Sequence, residues 1–518
     1  MRDLRCWGRA AGLATARASA TVCASVLVLL AAACGGAQNQ AEGGAAHAGV
    51  IGGVGGGGTN TQATTPPAAQ SLATGADRQS VGVVGAGGPA APYDYAPTVM
   101  RAGGQYRMWW CSQLPSARPG DQILFGQAGS ADGPFTAPGG APAVEVFGNS
   151  ASGFDALHTC DPSVIAAGGS YYLYYTGTSD AAGAHNAIGL ATSTDGTHWT
   201  RANDGRPILT AAGDVARANT YGAGQPSVVF LNGWYYLMFT DTTGQAATAD
   251  GSGQFVLRSP DPAFATGVQA LGPQGFARVA STSTPRLRSV LNGTTADLMW
   301  SDALNAFALA QDTGAGTVVT FWDVNFSYHP YQPVTIPGPE REGPGFIRRA
   351  DGHAPIDPSD PCGTVPLDVV RATGLGAGPL DLRHFGVDLH GIRGCGNAAQ
   401  AAAVLTGFAM PSPTRTEDLI VNGSLIEVER RSVAQALAQG ILPAPVPVLA
   451  ALPVAARLDS TALAVVAPGR PVALLLDGRL WTVGSTAVAD LNSSAVAGIS
   501  TAQWDAYPHA GDLSGLRY

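Results

Sequence analysis

From about residue 91 to residue 395, apolar and aromatic residues come in short bursts separated by turns that contain glycine, the pattern of short strands joined by tight hairpins. The bursts repeat. Tyr95-Ala96-Pro97-Thr98-Val99 precedes a Gly-Gly turn and then Tyr106-Arg107-Met108-Trp109-Trp110. Cys160-Asp161-Pro162-Ser163-Val164 precedes a second Gly-Gly turn and Tyr171-Tyr172-Leu173-Tyr174-Tyr175. Gly224-Gln225-Pro226-Ser227-Val228 precedes Asn232-Gly233 and Tyr235-Tyr236-Leu237-Met238-Phe239. A fourth copy reads from Thr284-Pro285-Arg286-Leu287 through Asn292-Gly293 to Leu298-Met299-Trp300, and a fifth from Glu342-Gly343-Pro344-Gly345-Phe346-Ile347 to Leu367-Asp368-Val369-Val370. The first four copies stand about 60 to 65 residues apart. A four-stranded unit of that length, repeated around an axis, is a propeller blade. The fold class expected is therefore all-β: a five-bladed β-propeller over residues 91–395, with six blades as the alternative.

Beyond residue 396 the aromatic bursts stop and Ala, Leu and Val take over. The stretch from Val421-Asn422-Gly423 to Val428 is echoed 55 residues later by Leu476-Asp477-Gly478 to Val483, each followed by a helix-like stretch, 432–438 and 485–491. Residues 396–518 thus read as a small C-terminal α+β module of two hairpin-plus-helix repeats. Such repeats, with the Trp504-Asp505-Ala506-Tyr507-Pro508 ending, resemble those appended to bacterial surface proteins. Packing against the propeller and docking on a cell-wall polymer are both open.

The N-terminus has a different pattern. Arg2, Arg5 and Arg9 precede an apolar stretch from Val22 to Ala33, of signal-peptide length and too short to span a bilayer as a helix. It ends in Leu30-Ala31-Ala32-Ala33-Cys34, which resembles the lipobox of bacterial lipoproteins and implies cleavage before Cys34 and lipidation of its thiol. Residues 34–90 are rich in Gly, Ala, Gln and Thr, with few large apolar groups to bury, and are expected to form a disordered tether. The protein is thus expected on the bacterial cell envelope, lipid-anchored and facing outside the cytoplasm.

Composition narrows the partners. Net charge is −9, there is no lysine, and no basic run is present, which argues against a nucleic-acid partner. The membrane is expected to be engaged through the N-terminal lipid only, and the protein to be a monomer. Once Cys6, Cys23 and Cys34 are set aside, Cys111, Cys160, Cys362 and Cys395 remain for an oxidising compartment. Cys111–Cys160 and Cys362–Cys395 are the favoured pairs, because each lies within neighbouring units of the repeat. Their spacings lack metal-ligand character.

Strand starts of the type Asp161-Pro162-Ser163-Val164, followed by a glycine turn and Tyr-Tyr-Leu-Tyr-Tyr, resemble the five-bladed propellers of glycoside hydrolase family 43 and its relatives. The resemblance implies a central funnel lined by the first strand of each blade. It implies a base on blade one, a carboxylate on blade two that tunes and orients, and a Glu acid on blade three. Two carboxyls flanking the glycosidic bond, one protonated and one ionised, are what that chemistry needs. Asp161 matches the blade-two position. Ala96 stands at the blade-one position, with Asp94 two residues earlier on the same strand face by period two. On blade three, Gly224-Gln225-Pro226 replaces Glu-Gly-Pro, whereas Glu342-Gly343-Pro344 carries it in blade five.

Three readings follow: a rearranged set with Asp94 as base or nucleophile, Asp161 as tuner and Glu342 as acid; a glycan-binding pocket without hydrolysis; and a purely structural role. Gln225, Arg286, His158 and Tyr221 are the candidate substrate contacts, with Asp155 as a further residue overhanging the pocket. The resemblance implies a polysaccharide or oligosaccharide partner; if active, the protein acts on extracellular glycan, pentose-containing most of all. No cofactor is expected. The resemblance allows a Ca²⁺ near the axis, but no ligand cluster in the sequence compels one.

Overall fold

Hairpin after hairpin, the chain lays down five antiparallel sheets between Tyr95 and His390. The computed structural model describes residues 67–87, 93–113, 120–376 and 379–516. The expected signal peptide, Cys34 and the first part of the expected tether lie outside the described residues. A first strand, β1 (Ala73–Gln79), precedes the sheets. Sheet one is β2 (Tyr95–Ala102), β3 (Gln105–Ser112), β4 (Gln122–Ala128) and β5 (Val144–Phe147). Sheet two is β6 (His158–Ala167), β7 (Ser170–Thr178), β8 (Ala187–Ser193) and β9 (Thr200–Arg201). Sheet three holds β10 (Ala223–Leu231), β11 (Trp234–Asp241), β12 (Gln254–Ser259), β13 (Gln269–Gly272) and β14 (Gly275–Arg278). Sheet four is β15 (Ala296–Ser301), β16 (Ala306–Thr313), β17 (Gly316–Trp322) and β18 (Val334–Pro337). Sheet five joins β19 (Glu342–Arg349), β20 (Thr364–Thr373) and β21 (Asp381–His390) to β1, which pairs antiparallel with β21.

The leading strands neighbour one another in cyclic order: β2 beside β6, β6 beside β10, β10 beside β15, β15 beside β19, and β19 back beside β2. The last junction is a parallel pairing, Ile347 opposite Val99. The turns of the leading hairpins have both central residues at positive φ, as at Gly103-Gly104, Gly168-Gly169 and Asn232-Gly233, the geometry that matches strand twist. Aromatic second strands fill the space between sheets. Tyr172 meets Tyr235 edge-on at 5.8 Å, and Tyr236 lies 5.0 Å from Phe307. Ile165, Leu237 and Phe239 are fully buried between sheets two and three, each stabilising the fold by about 1.5–3 kcal/mol.

The Pro-Ser-Val motif has a structural meaning. Ser163 Oγ accepts from the Val228 amide at 3.0 Å, Ser227 Oγ accepts from the Leu298 amide at 2.9 Å, and Asp297 Oδ2 accepts from the Phe346 amide at 2.7 Å. On β6, β10 and β15 one polar side chain thus holds the next leading strand. At the fifth position stands Gly345, where a Cβ would meet the Pro97 carbonyl oxygen at 1.9 Å. Arg348 supplies the link instead. Its guanidinium donates to Thr98 Oγ1 (3.0 Å), Leu298 O (2.6 Å), Val228 O (3.3 Å) and Ser227 Oγ (3.3 Å), and pairs with Asp297 at 3.4 Å. It is 1 % exposed and reaches the leading strands of sheets one, three and four from sheet five.

Two expectations change, and one that was left open is resolved. The fourth unit starts at Ala296, so Leu298-Met299-Trp300 belongs to its first strand, and no named strand covers 284–293. Pro285 and Asn292-Gly293 imitate the motif without the strand. Residues 67–87, placed in the tether, are structured: β1 closes sheet five and Arg78 pairs with Asp368 and Asp388 at 2.7 Å each. The C-terminal module packs against the sheets. Leu405, Phe408, Leu425 and Leu449 share one buried cluster with Val365, Val369 and Phe385. Its two repeats carry the expected hairpins and the helices Arg431–Leu437 and Ala487–Asn492. Both favoured disulfides, Cys111–Cys160 and Cys362–Cys395, are present.

Candidate functional site

Four leading strands share a defect in their pairing. Register shifts fall between Tyr95 and Thr98, Cys160 and Ser163, Gly224 and Ser227, and Glu342 and Gly345. Within each bulge one residue takes positive φ just before a proline: Ala96 (45°), Asp161 (47°), Gln225 (53°) and Gly343 (48°). For the three non-glycine residues this conformation costs on the order of 1 kcal/mol each, and such strain collects at functional sites. These four residues, with their prolines and Thr295 to Asp297, line one axial cavity of about 40 Å³.

Beside this cavity, at the strand starts, the structure groups Asp161, Glu342 and Asp121 with Tyr95 and Tyr221. Tyr221 Oη donates to Asp161 Oδ2 at 3.4 Å, and Tyr95 Oη donates to Asp121 Oδ2 at 3.0 Å. Gln113 donates to the other Asp121 oxygen at 3.0 Å. Burial pushes the Asp161 carboxyl up to about 6, against the hydrogen bonds of Thr176 and Tyr221. Glu342 is pushed further, to about 8, by burial first and then by the charges of Asp161, Asp312 and Asp121. Burial raises Tyr95 and Tyr221 as well, so both remain neutral donors. At neutral pH the group therefore holds one protonated carboxyl, Glu342, next to an ionised Asp161, the division of labour that acid–base cleavage requires.

His158 and Gln225 line or support this group. His158 is buried at the start of β6, its Nδ1 3.1 Å from the Asp121 amide nitrogen. The same Nδ1 lies 3.2 Å from Asp121 Oδ2, and the tautomer decides which of the two contacts is the hydrogen bond. The Gln225 amide donates to Thr176 Oγ1 at 2.7 Å, and its Oε1 accepts from Thr240 at 3.0 Å. Cys111, Cys160 and Asp121 lie close enough to hold a metal ion, but the two sulfurs are joined in a disulfide and offer no thiolate.

Three other candidates lie elsewhere. Asp94 Oδ1 accepts from Trp110 Nε1 at 2.8 Å and the Gly87 amide at 3.0 Å, and its charged neighbour is Asp381 of sheet five. It is absent from the charges acting on Asp161 and Glu342. The bulge after Tyr95 breaks the period-two alternation that placed it beside Ala96. Asp155 is fully buried and occupied by Ser150 (2.5 Å), Tyr175 (3.0 Å) and Arg201 (2.7 Å), so it does not overhang the pocket. Arg286 is 2 % exposed, paired with Asp241 at 3.1 Å and bonded to the carbonyls of Thr282, Thr284 and Thr210, which leaves no face for a substrate. Asp121 was not among the sequence candidates. It stands before the third strand of its sheet rather than the first, and no motif marks it.

No family profile matches the sequence, and no curated protein matches it. Among solved structures, a family 117 glycoside hydrolase from the marine bacterium Zobellia galactanivorans aligns with 11% identity and a TM-score of 0.40, over 62% of this chain and 91% of that one. The catalytic domain of a family 62 α-L-arabinofuranosidase from Coprinopsis cinerea aligns with 12% identity and a TM-score of 0.40, over 61% and 97%. An α-L-arabinofuranosidase from Podospora anserina, solved with cellotriose, aligns with 11% identity and a TM-score of 0.37, over 62% and 98%. These are distant likenesses of chain course, and no residue role is taken from them.

Proposed function

We propose that the five sheets are the blades of a five-bladed β-propeller and that its axial mouth is a glycoside hydrolase site for extracellular, pentose-containing glycan. The observation that carries this reading is Glu342, held protonated up to about pH 8 beside Asp161, which ionises at about 6. In this reading Glu342 protonates the departing glycosidic oxygen. Asp161 is the carboxylate partner; burial first, then the charges of Asp161, Asp312 and Asp121, keep the Glu342 proton in place. Asp94 has no part in it. The N-terminal lipobox-like sequence motivates the companion proposal of a lipid-anchored envelope protein; loss of fatty-acid labelling in Cys34→Ala is its test.

Turnover of aryl pentofuranosides and pentopyranosides decides the enzyme reading. Glu342→Gln and Asp161→Asn should each lower it by about a hundredfold or more. Unchanged turnover in both variants overturns it. One observation favours a second reading, a glycan-binding propeller without hydrolysis: Ala96 and Gln225 put no carboxyl at two of the bulges around a cavity of about 40 Å³. That reading is supported by saturable glycan binding with no release of reducing ends.

A further inference from the structure

The far ends of β2 and β19 carry a second cavity. Both strands start at the carboxylate group, with Tyr95 and Glu342, and run about 25 Å to Ala102 and Arg349 at the opposite end. There the turn at Arg101 to Gly104, the segment Pro355 to Pro358 and the C-terminal module, through Phe408 and Gln439, enclose about 520 Å³. That volume lies within the range of small-molecule sites. A smaller space of about 200 Å³ adjoins it, and Arg101, Pro355, Ile356 and Pro358 line both.

Arg101 and Arg349 are the charged residues that line the larger space, and Asp357 and Asp368 line the smaller one beside Arg101. Arg349 is compensated by Asp351 at 2.9 Å and Asp302 at 3.5 Å. Asp357 accepts from the Ser359 amide and hydroxyl. Asp368 is engaged by Arg78 and His384. Arg101, half-buried, makes no hydrogen bond or ion pair among the described residues; its one neighbour of note is the Tyr106 ring, 5.8 Å from its guanidinium carbon. A guanidinium with no carboxylate within bonding distance can take the carboxylate of a ligand. Phe408, Ile356 and the prolines offer apolar surface beside it, and the Gln439 amide a polar contact.

We propose that this seam cavity binds a carboxylate-bearing sugar of about two rings, a uronic-acid unit whose carboxylate sits on Arg101. The sugar body rests on the carbohydrate reading above, whereas the need for an anion rests on Arg101 alone. The C-terminal module completes the site, which gives its packing against the sheets a function. The axial carboxylates take no part, so the two sites fail or stand separately.

Calorimetric titration tests it, with digalacturonic acid, its methyl ester and a glutamyl dipeptide as probes at about physiological salt. The expected result is binding of the acid, with at least a tenfold loss for the ester, for Arg101→Gln and for Gln439→Glu, which places a negative charge beside the carboxylate. Glu342→Gln should bind the acid as the wild type does, and Arg101→Gln should turn over neutral pentosides unchanged. Melting temperatures near wild type show that the variants are folded. Equal binding of acid and ester, wild-type binding by Arg101→Gln, or binding of the dipeptide in place of the sugar each overturns the proposal.

Discussion

Replacing Arg348 by methionine keeps most of the volume of the side chain and removes its charge and all its donors. In the native protein that guanidinium donates to two carbonyls and two hydroxyls on three other sheets and neutralises Asp297. Individual hydrogen bonds from a charged donor contribute about 1.5–3 kcal/mol, but four on one group are not additive. The better guide is the cost of removing one partner from a buried ion pair, about 3–5 kcal/mol, because Asp297 would be left charged in a site it cannot leave. Asp297 keeps the Phe346 amide and the Ser227 hydroxyl, which favours the middle of that range. We expect a loss of about 4 kcal/mol in guanidinium chloride unfolding followed by tryptophan fluorescence, with an unchanged slope, and a melting temperature lower by roughly 4 °C. Adding Asp297→Asn should restore part of it, a coupling of about 1.5 kcal/mol or more. A loss within 0.5 kcal/mol for Arg348→Met, or strict additivity in the double variant, would refute the idea that one arginine closes the ring.

Turnover should follow a bell with limbs near pH 6 and pH 8, since Asp161 must be ionised and Glu342 protonated; Glu342→Gln should abolish the alkaline limb in whatever activity remains, measured as kcat/KM. Stability should show the same residue from the other side. A carboxyl raised from 4.5 to about 8 contributes fully below its unfolded value and loses that contribution as pH rises through about 8. Glu342→Gln should therefore be more stable than wild type at pH 9 by on the order of 3 kcal/mol, and chemical denaturation at pH 5 and pH 9 checks the sign. Glu340, pushed up to about 9 by burial and then by Asp312, acts in the same direction and remains in the variant. Finally, a chain begun at residue 67 should unfold like the full-length protein, whereas one begun at residue 81 lacks β1, exposes the edge of β21 and should lose stability or aggregate, read by thermal melting and light scattering.

Sheets one to three were legible because their sequence carries a chain of linked requirements: a residue at positive φ, a proline, a hydroxyl that bonds a neighbouring leading strand, and a two-residue turn. Sheet four has Asp297 where the others have Ser or Thr and lacks the proline. Its true start was therefore overlooked in favour of Pro285, which sits in a loop. β1 escaped notice for a different reason. An outer strand reading Ala-Thr-Gly-Ala-Asp-Arg-Gln buries little, so no alternation marks it, and only pairing with residues some 300 positions later makes it a strand. The same distance problem explains the candidate site. Whether Arg286 or Asp155 is free depends on Asp241 and Arg201, whose positions follow from the tertiary fold alone. Asp161 and Glu342, by contrast, belong to the repeated motif itself, and the repeat was enough to bring them to one mouth.

The pairing of β1 with β21 also orders events in time. The first strand of the described chain has no partner until one of the last strands of sheet five has been made, so sheet five remains incomplete while four others can assemble from local hairpins. Folding that ends on so distant a contact is slow to commit and, until it does, leaves β21 open to proteases and to other chains. Release of β1 reopens the same edge in the folded protein.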